Sequence, residues 1–330
     1  MIDFEHIINN VSCENFDDFA LQIFEFQSQN CSIYKQFIDY LGLKPHQITT
    51  INKIPFLPIE FFKNHKVVCF DPKLIDQNTL MFKSSGTTFQ TRSVHYVYSP
   101  QIYHKSFMTA FKKVFGEPKD LIILALLPSY LEAGNSSLVY MVDYLIKSTQ
   151  TQDSGFYLNN YNELAQKLMY LDPTDKQVIL FGVSYALLEM KNYSKFNLKN
   201  TIIVETGGMK GKAKEITRQV LHNKLFEIYG TDKIYSEYGM TELLSQAYCT
   251  KNELFEPAST MKVLIRDHYD PFSYLSDGIS GGINVIDLAN IYSCSFIETK
   301  DLGKKQGNFF EVLGRIDNSD IRGCNLLTLE

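Results

Sequence analysis

The spacing of hydrophobic and polar positions differs between the N-terminal part of this chain and the rest. Between residues 16 and 41, apolar side chains recur every three or four positions, which predicts one or two amphipathic helices. A glycine and then Pro45 end this pattern. The next apolar stretch, residues 54–62, is broken by Pro55 and Pro58. We therefore expect a loop there, packed onto the body of the protein.

From residue 80 onward, strand-like and helix-like segments alternate. Short apolar runs predict strands at residues 121–127, 178–181, 201–204 and 233–236. Amphipathic segments predict helices at residues 136–147, 184–190 and 210–229. This alternation predicts an α/β fold with βαβ units and a mainly parallel sheet. Beyond about residue 251, a β-rich subdomain is expected, with short strands at residues 261–265, 282–286 and 294–297.

Composition and charge narrow the class of protein. The chain has 330 residues, of which 45% are hydrophobic and 21% charged, as in ordinary soluble globular proteins. Its net charge of −5 gives no reason to expect nucleic acid as the main partner. The N-terminus is acidic where a signal peptide would be basic, and the longest apolar run, residues 121–128, is too short to cross a bilayer. We expect a cytoplasmic protein without a membrane span; whether it forms a homo-oligomer stays open.

A run of hydroxyls and a glycine follows the first strand-like segment of the alternating region. The run comprises Ser84, Ser85, Gly86, Thr87 and Thr88. A glycine that adopts positive φ lets backbone N–H groups form a concavity, and the hydroxyls add further donors. Arg92 lies just beyond and offers a planar cation suited to phosphate oxygens. The segment predicts a nucleotide phosphate site, although taken alone a solvated turn explains it equally well.

Two later segments carry chemistry of the same kind. Gly207 and Gly208 follow a predicted strand and would allow the backbone to approach a flat base; the alternative is a tight helix start. Tyr238 offers a ring for stacking, Thr241 a hydroxyl for a phosphate, and Glu242 a hard oxygen ligand for Mg²⁺. Here too an ordinary helix start is the alternative.

Two charged residues in the C-terminal region complete the set. Asp301 can accept both hydroxyls of a ribose, and Arg315 can bind the sugar-phosphate edge. A surface turn and a surface ion pair are the alternatives. His95 and His104 could serve as bases, but we favour surface positions or positions with satisfied hydrogen bonds in the core.

Together these segments resemble the motifs of the adenylate-forming superfamily, which includes acyl-CoA synthetases and luciferase. The matching positions are residues 84–88, Gly207-Gly208, Tyr238-Gly239-Met240-Thr241-Glu242, Asp301 and Arg315. The resemblance implies the large N-terminal domain of that fold, with mainly parallel sheets flanked by helices and a β-rich subdomain. It implies ATP and Mg²⁺ as cofactors, and it places Arg92 where the family has a lysine. We expect an N-terminal helical region at 1–79, an AMP-binding core at 80–250 and the β-rich subdomain at 251–330, without the family's mobile C-terminal domain.

One short branch of the superfamily resembles the chain further: the acyl-protein synthetases of the bacterial luminescence fatty-acid reductase complex. They share a proline-broken apolar segment ahead of the phosphate loop and a cysteine near the C-terminus. Cys324 lies beside Arg322, whose charge favours the thiolate, although a small buried apolar role is the alternative. The resemblance implies that a fatty acid is activated as acyl-AMP, transferred to Cys324, and reduced by a partner acyl reductase.

Two other functions remain open at this point. A compact ligase of the phenylacetate-CoA ligase type would pass the acyl group to CoA or to a carrier protein. A non-catalytic nucleotide-binding scaffold would keep the fold without turnover.

Overall fold

The computed structural model describes residues 4–84, 91–128, 135–207 and 216–316. The α-helices in these ranges are α1 (Phe4–Asn10), α2 (Phe16–Asn30), α3 (Ser32–Tyr40), α4 (Phe61–Asn64), α5 (Pro100–Phe115), α6 (Ser137–Thr149), α7 (Tyr161–Leu171), α8 (Ser184–Glu189) and α9 (Arg218–Tyr229). The strands are β1 (Leu57–Pro58), β2 (Leu80–Lys83), β3 (Val94–Val97), β4 (Leu121–Leu126), β5 (Gly155–Tyr157), β6 (Gln177–Val183), β7 (Thr201–Thr206), β8 (Ile234–Tyr238), β9 (Ala247–Lys251), β10 (Leu254–Pro257), β11 (Met261–Arg266), β12 (Gly281–Asp287), β13 (Phe296–Gln306) and β14 (Phe309–Arg315). Short 3₁₀ turns cover Pro45–Gln47, Ile51–Lys53, Pro72–Leu74, Pro118–Asp120, Met190–Asn192 and Leu288–Asn290.

One half of the main sheet is parallel, in the order β5-β4-β6-β7-β8. Every residue of β4 and β7 is buried, as are all but the first of β6. Strands covered on both faces need apolar side chains in both directions, which explains the continuous apolar runs of the sequence. The predicted α/β architecture is confirmed. The carboxyl ends of these strands meet at one edge, where ligands bind in open sheets of this kind.

The other half of the sheet is antiparallel and continues from β8 in the order β9-β10-β14-β13-β12-β11. The strands expected in the β-rich region are present, and they extend the same sheet. Residues 54–62, for which we expected a loop, contain β1 and the start of α4. Leu57 pairs with Ile297 in parallel register, so this segment adds a short strand to β13. The prolines limit it to an edge position, because proline cannot donate to the ladder.

Helices cover both faces of the parallel half. On one face Phe111 and Phe115 of α5 pack against Phe181 of β6, with ring centroids 6.4 and 6.3 Å apart. On the other face α9 lies over β8, and its His222 Nε2 lies 3.0 Å from Ser236 Oγ. The helix expected from residue 210 begins later than predicted, at Arg218. Thr217 caps it by accepting a hydrogen bond from the Val220 amide, at 3.4 Å.

The N-terminal helices pack on the start of β13. Tyr34 of α3 stacks on Phe296, with centroids 6.1 Å apart. The Gln27 amide of α2 is buried and donates to the carbonyl oxygens of Asn290 and Ile291, at 3.0 and 2.8 Å. These contacts fix the turn that carries Asn290. In the part of the chain that the structure describes, no helix has the length and apolar character needed to cross a membrane.

Candidate active site

Ser84 and Ser93 close the base of the predicted phosphate loop. They extend the β2–β3 hairpin, whose last pair is Lys83 and Val94. The Ser84 amide donates to the Ser93 carbonyl at 3.0 Å, and the Ser93 amide donates to Ser84 Oγ at 2.9 Å. Ser84 therefore shapes the entrance of the loop. The predicted phosphate ligands Ser85, Gly86, Thr87 and Thr88 lie outside the described residues, and Arg92 is exposed.

A buried histidine joins this hairpin to the turn after β8. His95 Nδ1 lies 2.8 Å from the carbonyl oxygen of Thr241, and Nε2 lies 2.9 Å from Asn290 Oδ1. Asn290 Nδ2 in turn donates to the carbonyl oxygen of Glu242 at 2.7 Å. Burial lowers the pKa of His95 to about 4, so the ring is neutral at pH 7. This agrees with a core position for His95 and gives it the task of holding the Thr241–Glu242 turn in place.

Glu242, the predicted Mg²⁺ ligand, lies beside the base of the loop and is only 5% exposed. Burial raises the pKa of its carboxyl group, while a hydrogen bond with Ser93 and the positive charge of Arg315 lower it. A single carboxylate suits Mg²⁺, which is commonly held by one or two carboxylates together with substrate phosphates. Among the described residues, no group of three or more His, Cys, Asp or Glu side chains could hold a metal by itself. Glu242 therefore fits a metal that is bound jointly with ATP.

Tyr238 of β8, Asp301 of β13 and Arg315 of β14 come together although β8 does not pair with either of the other two strands. The Tyr238 hydroxyl donates to Asp301 Oδ2 at 2.8 Å, and Arg315 Nε lies 3.7 Å from Oδ1. Arg315 stands opposite Asp301 in the β13–β14 register, with its side chain 71% exposed. Burial raises the pKa of Asp301, and the hydrogen bond from Tyr238 and the charge of Arg315 counteract this effect. Gly207 follows β7 with φ 76°, whereas Gly208 lies outside the described residues.

A second carboxylate, Glu237, lies on the opposite face of β8 from Tyr238. It is 9% exposed and accepts a hydrogen bond from Thr206 Oγ1 at 2.5 Å. Burial raises the pKa of Glu237 to about 7. Its carboxylate lies against Gly239: a methyl group on that α-carbon would stand 2.4 Å from Glu237 Oε1. A side chain at Gly239 would therefore have to displace the Glu237 carboxylate.

Glu237 should make the protein less stable as the pH rises. Its pKa lies near 4.5 when unfolded and about 7 when folded, so the folded state binds more protons between these values. The free energy of unfolding should therefore fall between pH 4.5 and 7, by about 3 kcal/mol for this group. Urea denaturation across this pH range should show the decrease in the free energy of unfolding for the wild-type protein. The Glu237→Gln variant should not show this decrease. The exposed Glu14→Gln is the control and should keep the wild-type slope; equal slopes in all three proteins would contradict the prediction.

Sequence reasoning missed four residues of this arrangement. Ser93, Asn290 and Glu237 received no role, and the role of His95 as an anchor for the turn was not foreseen. Asn290 is distant in sequence from every motif. Ser93 carried a usable signal, since it mirrors Ser84 across the hairpin. Glu237 carried another, because a carboxylate inside an apolar strand is rarely buried without a specific reason.

Comparison with known proteins agrees with this picture. Residues 9–330 match the family described as acyl-protein synthetase, LuxE. No curated protein matches the sequence. A crystal structure of 2-hydroxyisobutyryl-CoA ligase, in an open conformation with 2-HIB-AMP and CoA, superposes with a TM-score of 0.69 over 92% of this chain and 70% of that chain, at 13% identity. ATP-bound MatB from Rhodopseudomonas palustris gives 0.54 over 73% of this chain and 49% of that chain, at 15% identity.

The fold is that of the N-terminal domain of adenylate-forming ligases. Because the identities are only 13% and 15%, these two structures are evidence for the fold and not for the activity. Family and fold together define the class as an acyl-adenylate-forming synthetase. The chain belongs to the LuxE acyl-protein synthetase family, because the family match covers nearly its whole length. The resemblance inferred from the motifs is thereby confirmed.

Proposed function

We propose that the chain activates a fatty acid with ATP and transfers the acyl group to its own Cys324. The observation that carries the proposal is the convergence of separate motifs. Asp301 accepts a hydrogen bond from Tyr238 and lies 3.7 Å from Arg315, and Arg315 and Asp301 act electrostatically on Glu242. Residues that are far apart in sequence thus form one polar site.

In the first step, a carboxylate oxygen of the acid attacks the α-phosphorus of ATP, and the bond to the bridging oxygen of pyrophosphate breaks. The products are acyl-AMP and pyrophosphate. Positioned donors and cations lower the barrier by stabilising the charge that develops on the phosphates. In our proposal Ser84, Ser85, Gly86, Thr87, Thr88 and Arg92 contact the β- and γ-phosphates.

The remaining residues orient the nucleotide. Thr241 contacts the α-phosphate, and Glu242 would hold Mg²⁺, which would supply positive charge that offsets the charge of the phosphates. Tyr238, Gly207, Gly208 and Gly239 border the adenine. Asp301 accepts from the ribose hydroxyls, and Arg315, with most of its side chain exposed, reaches the sugar-phosphate edge.

In the second step, the Cys324 thiolate attacks the carbonyl carbon of acyl-AMP. A thioester forms, the acyl–phosphate bond breaks, and AMP leaves with the electron pair. The adjacent Arg322 favours the thiolate. A partner acyl reductase would then take the acyl group from the protein. The proposal also places the protein in the cytoplasm.

Acid-dependent exchange of labelled pyrophosphate into ATP tests the activation step. The proposal expects exchange that requires a carboxylic acid and Mg²⁺. No exchange with any acid would favour a non-catalytic scaffold. Exchange accompanied by acyl-CoA formation when CoA is added, without acylation of the protein, would favour a compact CoA ligase instead.

A further inference from the structure

The ladder between β12 and β13 is irregular at the segment that contains Asp301. The two register pairs that flank the irregularity are Gly282 with Leu302 and Asn284 with Glu298. Residues 299–301 of β13 therefore stand opposite the single residue Ile283 of β12. Extra residues of this kind form a β-bulge, which bends the strand and redirects a side chain. The bulge thus decides where the Asp301 carboxylate points.

A buried arginine binds the backbone on both strands of this bulge. Arg266, at the end of β11, is 7% exposed. Its Nη1 donates to the carbonyl oxygen of Ile283 at 3.0 Å, and its Nη2 donates to that of Thr299 at 2.8 Å. Nη1 also donates to Asn284 Oδ1 at 2.9 Å, and Nη2 lies 3.4 Å from Glu298 Oε1. The planar fork of one guanidinium therefore joins β12 to β13 where the ladder is interrupted.

The space for this guanidinium comes from a glycine. Gly282 stands directly opposite Arg266 in the β11–β12 pair, so the arginine side chain crosses over it to reach β13. A methyl group on the Gly282 α-carbon would stand 2.5 Å from Arg266 Nη1 and 2.8 Å from Nε. Any side chain at position 282 would therefore displace the guanidinium from the bulge.

The bulge and the charge of Arg266 both act on Asp301. Thr299 Oγ1 accepts a hydrogen bond from the Asp301 amide at 3.1 Å and donates to the carbonyl oxygen of Ile283 at 2.7 Å. The two carbonyl groups that Arg266 binds thus belong to the residues that hold the Asp301 backbone. Burial raises the pKa of Asp301, and Arg266 is one of the groups whose positive charge lowers it.

We propose that Arg266 is a positioning residue that aims the Asp301 carboxylate at the ribose. This inference rests on the proposed function and names a residue that sets its preference for nucleotides with ribose hydroxyls. Arg266 itself does not touch the nucleotide. An apolar side chain of similar length would fill the same space but could not donate to the carbonyl groups of Ile283 and Thr299. The bulge would then change shape, and Asp301 would turn away from the hydroxyls.

The preference for ATP over 2′,3′-dideoxy-ATP, which lacks both ribose hydroxyls, tests this aim. Dissociation constants are measured by calorimetry with the full chain and Mg²⁺, so no turnover is needed. Hydrogen bonds to a charged group should make the wild type prefer ATP about tenfold or more. Arg266→Lys keeps the charge without the fork, and Gly282→Ala displaces the guanidinium without removing it. In both variants the preference should fall about fivefold or more, while dideoxy-ATP binds nearly as in the wild type.

Val263→Ala is the matched control, because it truncates another buried side chain of β11 away from the bulge. It should lower the melting temperature and keep the wild-type preference for ATP. An unchanged preference in either folded variant, Arg266→Lys or Gly282→Ala, overturns the inference alone, and so does an equal loss in Val263→Ala. If the wild-type protein binds both nucleotides equally, the ribose contact of the proposed function is wrong and the inference is wrong with it.

Discussion

Replacing Cys324 with serine is expected to abolish thioester formation on the protein while acid-dependent pyrophosphate exchange continues. The reason is that the two steps use different groups: activation needs the nucleotide site, whereas transfer needs the thiolate. The full chain is incubated with radiolabelled acid and ATP, and protein-bound label is measured before and after neutral hydroxylamine, which cleaves thioesters. The wild-type protein should lose its label in hydroxylamine, and Cys324→Ser should acquire no label of this kind.

Cys13 provides the matched control, because it is an exposed cysteine far from the proposed site in sequence. Cys13→Ser should acquire hydroxylamine-sensitive label like the wild type. If label persists in Cys324→Ser and disappears in Cys13→Ser, Cys13 is the acyl acceptor and the proposed role of Cys324 is wrong. Loss of both label and exchange in Cys324→Ser would mean that this position supports the activation step instead.

The parallel half of the sheet follows from sequence for a simple physical reason. Its strands are covered on both faces and must be apolar throughout, which makes them visible as short continuous runs. Boundaries near polar segments are less visible. The segment at 210–229 was expected to be one helix, yet in its described part, which starts at residue 216, α9 begins at Arg218, where Thr217 supplies the cap. Residues 54–62 look like a loop because of their prolines, and their strand pairing depends on a partner far along the chain.

The contacts within the site depend on register, which the sequence does not display. Gly307 and Asn308 form a two-residue turn between Gln306 and Phe309. Counting back from this turn would pair Asp301 with Gly314. An irregularity between Leu302 and Gly303 shifts the register by one residue and brings Arg315 opposite Asp301. The residues were therefore predictable as candidates from motif resemblance, but their contact was not.

The burial of Glu237 shows a different limit. It is a property of packing that the sequence of β8 does not display. Glu237 and Tyr248 are neighbours only because β8 and β9 pair antiparallel. The sequence-level expectation of a fatty acid came from resemblance to a family.

Asp301→Ala is expected to lower kcat/KM for ATP in the exchange reaction by about a hundredfold. In our proposal the carboxylate accepts hydrogen bonds from the ribose, and such charge-assisted bonds contribute about 1.5–3 kcal/mol each. The substitution also removes the acceptor of the Tyr238 hydroxyl, which is buried. The loss should therefore appear chiefly as a higher KM for ATP, while the KM for the acid changes little.

Two conservative variants distinguish a ligand of the ribose from a support for Tyr238. Asp301→Asn keeps an oxygen that can accept from Tyr238 but loses the charge, so its loss should be intermediate. Tyr238→Phe leaves the carboxylate in place and removes only the hydroxyl that donates to it. If Asp301 binds the ribose directly, Tyr238→Phe should cost much less than Asp301→Ala. If Asp301 acts only through the tyrosine, the two variants should be equally impaired, because each breaks the same 2.8 Å hydrogen bond.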